Sequence, residues 1–172
     1  MAVRIRSELP GEEARVRAIN ESAFGRPDEA RIPDEIRGSD RWIEGGSLVA
    51  VDPTGELVGH LLLSEGDLVA EDGSRRPVWM IGPVAVVPEL ERRGVGSALM
   101  RAAIVLATER GQPVLVLLGH PTYYPRFGFE SARAIGIEPP QPWSDAAWMA
   151  LRLPAWTPDL RGVAHFAPAF DE

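Results

Sequence analysis

The stretch VVPELERRGVGSALMRAA, residues 86–103, lies between an apolar run and a helical pattern rich in small residues. The apolar run, 78–87, predicts a buried strand, and the pattern over 95–110 predicts an amphipathic helix. A strand that leads through a glycine-containing loop into a helix presents backbone N–H groups and the positive end of the helix dipole. Gly94 and Gly96 leave room for a phosphate to approach the backbone. The stretch therefore predicts an anion site.

Two common phosphate-binding motifs do not fit this stretch. A P-loop needs a lysine and a hydroxyl after its second glycine, and GVGSALM contains no lysine. A dinucleotide fingerprint needs a third glycine where Leu99 stands and an acid roughly 20 residues further on, where the sequence is the apolar VLVLLG. Both motifs fail at identifiable residues.

The composition is that of a folded globular protein. The chain has 172 residues, of which 45% are hydrophobic and 25% charged, so we expect a single domain over 1–172. It has no cysteine, which excludes disulfides, thiolate metal sites and a cysteine nucleophile. Its three scattered histidines form no ligand pattern, so we expect no metal.

The net charge of −7, from 18 basic and 25 acidic residues, disfavours nucleic-acid partners and anionic membranes. The longest nearly apolar run, 78–87, is far shorter than the ~20 residues that span a bilayer. The start, MAVRIRSELPGEE, has charges where a secretory signal would be apolar, so we expect a cytoplasmic protein.

The hydrophobic periodicity predicts an alternation of strands and helices. We expect a strand at 3–9, a helix at 12–24, a short mobile helix within 26–41 that Pro33 starts or kinks, and an antiparallel meander of three strands within 47–88. After the helix at 95–110, which Gly111 ends, we expect a buried strand at 113–119 parallel to 78–87, a helical turn within 120–129 and a strand at 130–137. Residues 146–154 and 163–170 are interpreted as strands or extended cover.

Two segments resemble one family. VAVVPELERRGVGSALM, residues 84–100, looks like the acetyl-CoA signature of the GNAT superfamily of N-acetyltransferases, a strand followed by (Gln or Arg)-x-x-Gly-x-(Gly or Ala) and a helix. Gly94 and Gly96 stand at the two small positions, and Glu91 replaces the usual Gln or Arg. TYYPRFGF, residues 122–129, resembles the later motif of the family, a Tyr followed by three residues and Gly-Phe.

The resemblance implies an α/β chain with the GNAT acyl-CoA N-acyltransferase fold, a mixed central sheet splayed at a bulge and flanked by helices. Gly82-Pro83 is a reason for the bulge, because proline donates no ladder hydrogen bond. In the family the signature strand pairs with the pantetheine of acetyl-CoA and the following loop binds the pyrophosphate. The corresponding residues here are Val84, Ala85, Val86, Arg92, Arg93, Gly94, Val95, Gly96 and Ser97.

The resemblance also implies direct attack of an amine on the thioester. Tyr124 matches the general acid of the family. No acid or histidine lies on the signature strand, so His120 is the first candidate for the base, with His60, Glu65 and Asp67 as further candidates and proton removal through water as the alternative.

We therefore expect an N-acetyltransferase that uses acetyl-CoA and acts on a primary amine of a small molecule or peptide. The alternatives are a transferase that uses a different acyl-CoA and a non-catalytic CoA-binding or regulatory domain. The presence of Glu91, in place of the usual Gln or Arg, would suit such a non-catalytic domain. We expect the segment 26–41 to contact the acceptor, and the final segment to be a surface on which a second copy could pack as a homodimer.

Overall fold

The computed structural model describes residues 2–170, which form both strands and helices. The strands are β1 (Arg4–Ser7), β2 (Trp42–Val51), β3 (Leu57–Val69), β4 (Arg75–Val86), β5 (Val114–Leu118), β6 (Glu130–Ser131), β7 (Ile137–Glu138), β8 (Trp148–Arg152) and β9 (Gly162–His165). The α-helices are α1 (Glu13–Phe24), α2 (Pro27–Ala30), α3 (Ile32–Arg37) and α4 (Val95–Glu109). Short 3-10 helices cover Pro88–Leu90, Tyr124–Phe127, Arg133–Ile135 and Pro168–Phe170.

The chain forms two compact units. The first contains the described residues up to Ser64, the segment Gly82–Ala103 and the described residues from Ala169 onward. The second contains Glu65–Ile81 and Ile104–Pro168. Each of β3, β4 and α4 therefore contributes residues to both units.

The first unit is built on antiparallel strands. β1 pairs with β2, and β2 pairs with the first part of β3. The facing strands bury continuous apolar runs, and α1 adds Val16 and Ile19, which are almost fully buried. These two residues are three apart, so they lie on one face of the helix. The strand and the helix predicted at the start of the chain are confirmed.

The second unit contains both kinds of strand pairing. β4 and β5 are parallel, with Trp79 opposite Leu115 and Met80 opposite Val116, as expected for strands that a helix separates. β5 pairs antiparallel with β8, β8 with β6, and β3 with β9, whereas β7 pairs parallel with β9. The α/β class with a mixed sheet is confirmed.

The turns of the predicted meander have the expected chemistry. The Asp52 carboxylate accepts the backbone N–H of Thr54 at 2.9 Å in the turn before β3. The Asp72 carboxylate accepts the backbone N–H of Ser74, also at 2.9 Å, in the turn before β4. Aspartate side chains that bind the backbone two residues on stabilise such turns locally, which explains why the sequence predicted their positions.

The strand predicted at 130–137 is wrong. The chain forms the two-residue strands β6 and β7, with a 3-10 helix between them. The Ala132 carbonyl accepts the N–H groups of Ile135 and Ile137 at 3.1 and 3.0 Å, which coils the chain. Gly136, with a φ of 86°, then redirects it. Because each residue has a single backbone N–H, these local bonds take the place of ladder hydrogen bonds.

The helix predicted within 26–41 consists of two short helices, α2 and α3, and each has a proline in its first turn. Proline is tolerated there because the first N–H groups of a helix have no intrahelical acceptor. The segment 163–170, interpreted from the sequence as a strand or extended cover, contains most of β9 and a short 3-10 helix.

Within residues 2–170, no helix combines the length and apolar character needed to cross a membrane.

Candidate active site

The last residues of β4 alternate in burial. Ala85 is buried, and its neighbours Val84 and Val86 are half-buried. The next N–H group, that of Val87, donates to the Val58 carbonyl at 3.0 Å. The direction of the chain is therefore fixed up to the point where the glycine-containing turn begins.

The turn contains two residues with left-handed backbone conformation. Arg92 has a φ of 62° and Gly94 a φ of 85°. Across the described part of the chain, Arg92 is the one residue other than glycine with a positive φ, a conformation that costs an L-residue roughly 1–2 kcal/mol. A Cβ on Gly94 would point into open space, so glycine is required there by the backbone and not by crowding. Such strain is typical of ligand-binding turns.

α4 begins directly after this turn. The Gly94 carbonyl accepts the N–H of Ala98 at 3.0 Å. The N–H groups of Val95, Gly96 and Ser97 therefore precede the first i to i−4 bond of the helix. The first turn of α4 contains no acidic residue, so no carboxylate of that turn neutralises the positive end of the dipole. The backbone here is suited to an anionic ligand.

The charged side chains of the turn balance one another. Arg92 and Arg93 are exposed, and so are Glu89 and Glu91. Two basic and two acidic groups within five residues give no net side-chain charge. The preference for an anion therefore depends mainly on the backbone N–H groups and the helix end.

Gly59 on β3, which the sequence analysis did not select, fixes the start of α4. A Cβ built on Gly59 would lie 2.9 Å from Cγ1 of Val95 and 3.1 Å from Cδ1 of Leu99. Both side chains are buried, so the first two turns of the helix pack directly on the strand. The available signal was a glycine inside an apolar strand, which often marks close approach of another element.

Tyr124 lies in the second unit, at the start of the short helix before Gly128. Its half-buried ring contacts Tyr123 edge to face, with centroids 5.0 Å apart, and Phe129, with centroids 6.2 Å apart. Burial, with a smaller contribution from Tyr123, raises the pKa of Tyr124 to about 12. The phenol is therefore a neutral hydrogen-bond donor at neutral pH.

His120 is exposed, in the same unit as Tyr124. Its Nδ1 lies 2.9 Å from Oγ1 of Thr122 and accepts the backbone N–H of Thr122 at 3.4 Å. Because a backbone N–H only donates, Nδ1 is the acceptor in this arrangement, and the neutral ring carries its hydrogen on Nε2. Only Nδ1 can then accept a proton, and an amine that donates this proton directly would have to take the place of the Thr122 hydroxyl at Nδ1.

His60, a further candidate for the base, is less suitable than His120. His60 is completely buried, with Nδ1 3.1 Å from Nδ2 of Asn20 and Nε2 2.9 Å from Oγ of Ser47. Burial, followed by the charge of Arg37, lowers the pKa of His60 to about 3. His60 is therefore inaccessible to a substrate amine and stays neutral.

The predicted site residues fall into two groups. The residues predicted to bind the cofactor lie in the first unit, and Tyr124 and His120 lie in the second.

Among the carboxylates that are candidates for the base, Asp67 forms an ion pair with Arg75 at 3.3 Å. Among residues 2–170, no three or more His, Asp or Glu side chains form a group that could hold a metal ion.

Sequence comparisons identify relatives over most of the chain. The family model described as "Acetyltransferase (GNAT) domain" matches residues 4–132. The uncharacterized N-acetyltransferase YjhQ of Escherichia coli K12 is 33% identical over 151 residues, which are 86% of this chain and 82% of YjhQ. The uncharacterized N-acetyltransferase YhbS of the same organism is 29% identical over 150 residues, with 87% and 86% coverage.

Solved structures give similar results. The crystal structure of a GNAT family acetyltransferase from Brucella melitensis in complex with acetyl-CoA is 27% identical, with a TM-score of 0.79 and 99% coverage of both chains. The crystal structure of YhbS from Escherichia coli in complex with CoA has a TM-score of 0.89, with 24% identity and coverage of 99% of this chain and 92% of that one. Because the sequence identity is 24%, the similarity to this YhbS structure shows only that the fold is shared.

Proposed function

We propose that this chain, which belongs to the GNAT acetyltransferase family, transfers the acetyl group of acetyl-CoA to a primary amine of a small molecule or peptide. The observation that carries the proposal is the turn before α4, where Arg92 and Gly94 adopt left-handed conformations and the N–H groups of the first helical turn follow. This backbone suits a pyrophosphate. The acetyl-CoA complex of the Brucella relative supports the same cosubstrate.

The proposed cosubstrate site follows the family motif. The backbone of Val84, Ala85 and Val86 would pair with the pantetheine amides. The pyrophosphate would be bound by the segment Arg92, Arg93, Gly94, Val95, Gly96 and Ser97. The backbone N–H groups of this segment would provide most of the attraction, since the nearby acidic and basic side chains balance. No metal is required by this arrangement.

The proposed reaction is direct attack. The amine nitrogen forms a bond to the acetyl carbon, a backbone N–H near Val84 or Ala85 stabilises the oxyanion, and the C–S bond breaks with its electron pair on sulfur. Tyr124 would give its proton to the departing sulfur. A thiol has a pKa of about 8.5, well below the value of about 12 for Tyr124. Because transfer to a free thiolate would be uphill, we propose that it accompanies C–S cleavage.

The attacking amine must also lose a proton. We propose His120 as the base, through Nδ1, with displacement of the Thr122 hydroxyl from that nitrogen. The proton returns to the tyrosinate through solvent, so that the products are the N-acetylated amine and CoA thiol. Removal of the proton by water alone is the competing route, and a His120→Gln variant with unchanged kcat would favour it.

We further propose that residues 1–172 act as one catalytic domain. The family match covers 4–132, and the relatives YjhQ and YhbS align over most of the chain. The acceptor would contact the segment 26–41, which contains α2 and α3. Another acyl-CoA remains the alternative donor, and the assay below compares donors directly.

The test measures binding and turnover separately. Thermal unfolding is recorded with acetyl-CoA, CoA, ATP and NADH, since ligand at 100 times its Kd stabilises the folded state by about 2.7 kcal/mol. Release of CoA thiol is then followed with a thiol reagent across a panel of primary amines and donors. The chain has no cysteine, so the reagent reports only CoA. A shift with CoA compounds alone and amine-dependent thiol release support the proposal, whereas no shift with acetyl-CoA or CoA would contradict it.

A further inference from the structure

We propose that Gly119 is a positioning residue for this reaction, because its missing side chain provides the space in which the Tyr124 ring lies. The inference rests on the proposed role of Tyr124. Gly119 directly follows β5 and lies in the same unit as Tyr124. It is not part of the family motif considered above.

The contact between Gly119 and Tyr124 is very close. A Cβ built on Gly119 would overlap Cε2 of Tyr124, and it would lie 3.0 Å from Cδ2 of that ring and 3.2 Å from Cδ1 of Leu117. Real Cβ atoms almost never approach another heavy atom below 3.0 Å. Any residue other than glycine at this position must therefore displace the ring or the backbone.

The backbone conformation does not itself require glycine. Gly119 has no left-handed φ, in contrast to Gly128 at the end of the following short helix, where φ is 98°. A φ outside the left-handed region does not exclude alanine. The requirement for glycine is therefore due to the neighbouring phenol ring.

Neither the backbone nor the ring can move easily to relieve the overlap. The Gly119 N–H donates to the Ala147 carbonyl at 3.0 Å, which fixes the end of the strand. The Tyr124 ring also contacts the rings of Tyr123 and Phe129. A methyl group on Gly119 would thus rotate or shift the phenol within an aromatic cluster.

A shift of this size matters for an acid that must reach the departing sulfur. A misplacement of about 1 Å can lower a rate by as much as 10²-fold. The binding residues proposed for acetyl-CoA do not include Gly119, so the affinity for the cosubstrate should be preserved. Gly119→Ala is therefore expected to lower kcat by about 10-fold to 100-fold and to leave the KM for acetyl-CoA within about twofold.

Gly73→Ala is the control for a general effect of the added methyl group. Gly73 lies outside the residues proposed to bind acetyl-CoA or the acceptor, and a Cβ built on it would enter open space. Its φ of 84° makes alanine unfavourable for the backbone there, and kcat should nevertheless not change. An unchanged kcat in Gly119→Ala, or an equal loss in both variants, would overturn the inference.

A double-mutant cycle distinguishes positioning from general damage. In the Tyr124→Phe background the ring remains but has no hydroxyl to misplace. Adding Gly119→Ala to this background should lower kcat by less than twofold, because the two residues act as a unit. A further loss as large as in the wild-type background would contradict a role through Tyr124.

A readout independent of activity completes the test. The chain has two tyrosines, so Tyr123→Phe protein labelled with ¹³C-tyrosine gives ring signals from Tyr124 alone. Gly119→Ala should shift these signals, and Gly73→Ala should not. Unshifted signals would overturn the inference even if kcat falls. A shift together with normal kcat in Tyr124→Phe would instead show that the ring contact is real and that the acid role in the proposed function is wrong.

Discussion

Nε2 of His60 lies 2.9 Å from Oγ of Ser47, and both side chains are buried in the first unit. The Ser47 hydroxyl also donates to the Glu8 carboxylate, which can only accept. Because a hydroxyl has one hydrogen, Nε2 of His60 must be the donor to Ser47. Nδ1 then accepts from the Asn20 amide. This buried network specifies one neutral tautomer of His60.

The network predicts the pH dependence of stability. The pKa of His60 is about 3 in the folded protein and about 6.5 in an unfolded chain. Between these two pKa values the unfolded state binds more protons at His60 than the folded state does. The free energy of unfolding therefore falls by up to about 1.4 kcal/mol for each pH unit by which the pH is lowered. Urea unfolding at pH 8, 6, 5 and 4 should therefore show a flatter pH dependence in His60→Gln than in the wild type.

His165→Gln is the control for this experiment. His165 is exposed, so its replacement should leave the pH dependence close to that of the wild type. At pH 8, where His60 is neutral in both states, His60→Gln is expected to be less stable because it disturbs a buried hydrogen-bonded network. Parallel stability curves for wild type and His60→Gln between pH 6 and 4 would refute the prediction.

Substitution of Gly94 should weaken acetyl-CoA binding. A glutamate there would place an acid at the proposed pyrophosphate site, and we expect Kd to rise at least about tenfold, equivalent to about 1.4 kcal/mol. Gly73→Glu is the matched variant, since Gly73 has a φ of 84°, against 85° for Gly94, and its Cβ would also enter open space. Calorimetric titration should show the loss only for Gly94→Glu; equal effects would assign it to backbone strain.

Tyr124→Phe should lower kcat by about 10²-fold or more, because the acid for the departing sulfur is removed. The ring and its contacts remain, so thermal stability and the Kd for acetyl-CoA should change little. Tyr123→Phe serves as the control, since Tyr123 packs between Tyr124 and Phe127. Full activity in Tyr124→Phe with normal cosubstrate binding would eliminate Tyr124 as the acid.

The raised pKa of Tyr124 also predicts the alkaline side of the rate profile. With a pKa of about 12, the phenol remains protonated up to about pH 10, and the acid is not lost there. The kcat of the wild type should therefore not decline between pH 8 and 10. A decline in this range that disappears in Tyr124→Phe would show that the phenol ionises much earlier.

Gly59→Ala tests the packing of α4 on β3. Its Cβ would press on Val95 and Leu99, and overpacking of this kind typically costs about 1–3 kcal/mol. The free energy of unfolding in urea should fall by that amount. Gly38→Ala should change it much less, because Gly38 has a φ of −86° and its Cβ would meet only carbonyl oxygens at 3.8 and 3.9 Å. A stability equal to that of the wild type would mean that the helix start can shift without penalty.

Several elements could be predicted because their signals are local. Gly111, with a φ of 72°, ends α4, and the side chains of Asp52 and Asp72 stabilise the turns of the meander. The glycines before α4 predict an anion site because they lie in a loop between a strand and a helix. The strand at 130–137 was mispredicted because the alternating pattern does not reveal that Gly136 adopts a φ of 86°, nor that the guanidinium of Arg161 occupies the space of its missing Cβ.

The sequence by itself determined the succession of strands and helices, the glycine turn before α4 and the family, since each depends on residues close together in the chain. The tertiary structure decided which histidine is buried and which is exposed, and why Gly59 and Gly119 must lack a side chain. His60 and Asn20, for example, are 40 positions apart and become hydrogen-bonded only on folding. Burial, tautomer and available space are properties of neighbours, and folding brings those neighbours together from distant parts of the chain.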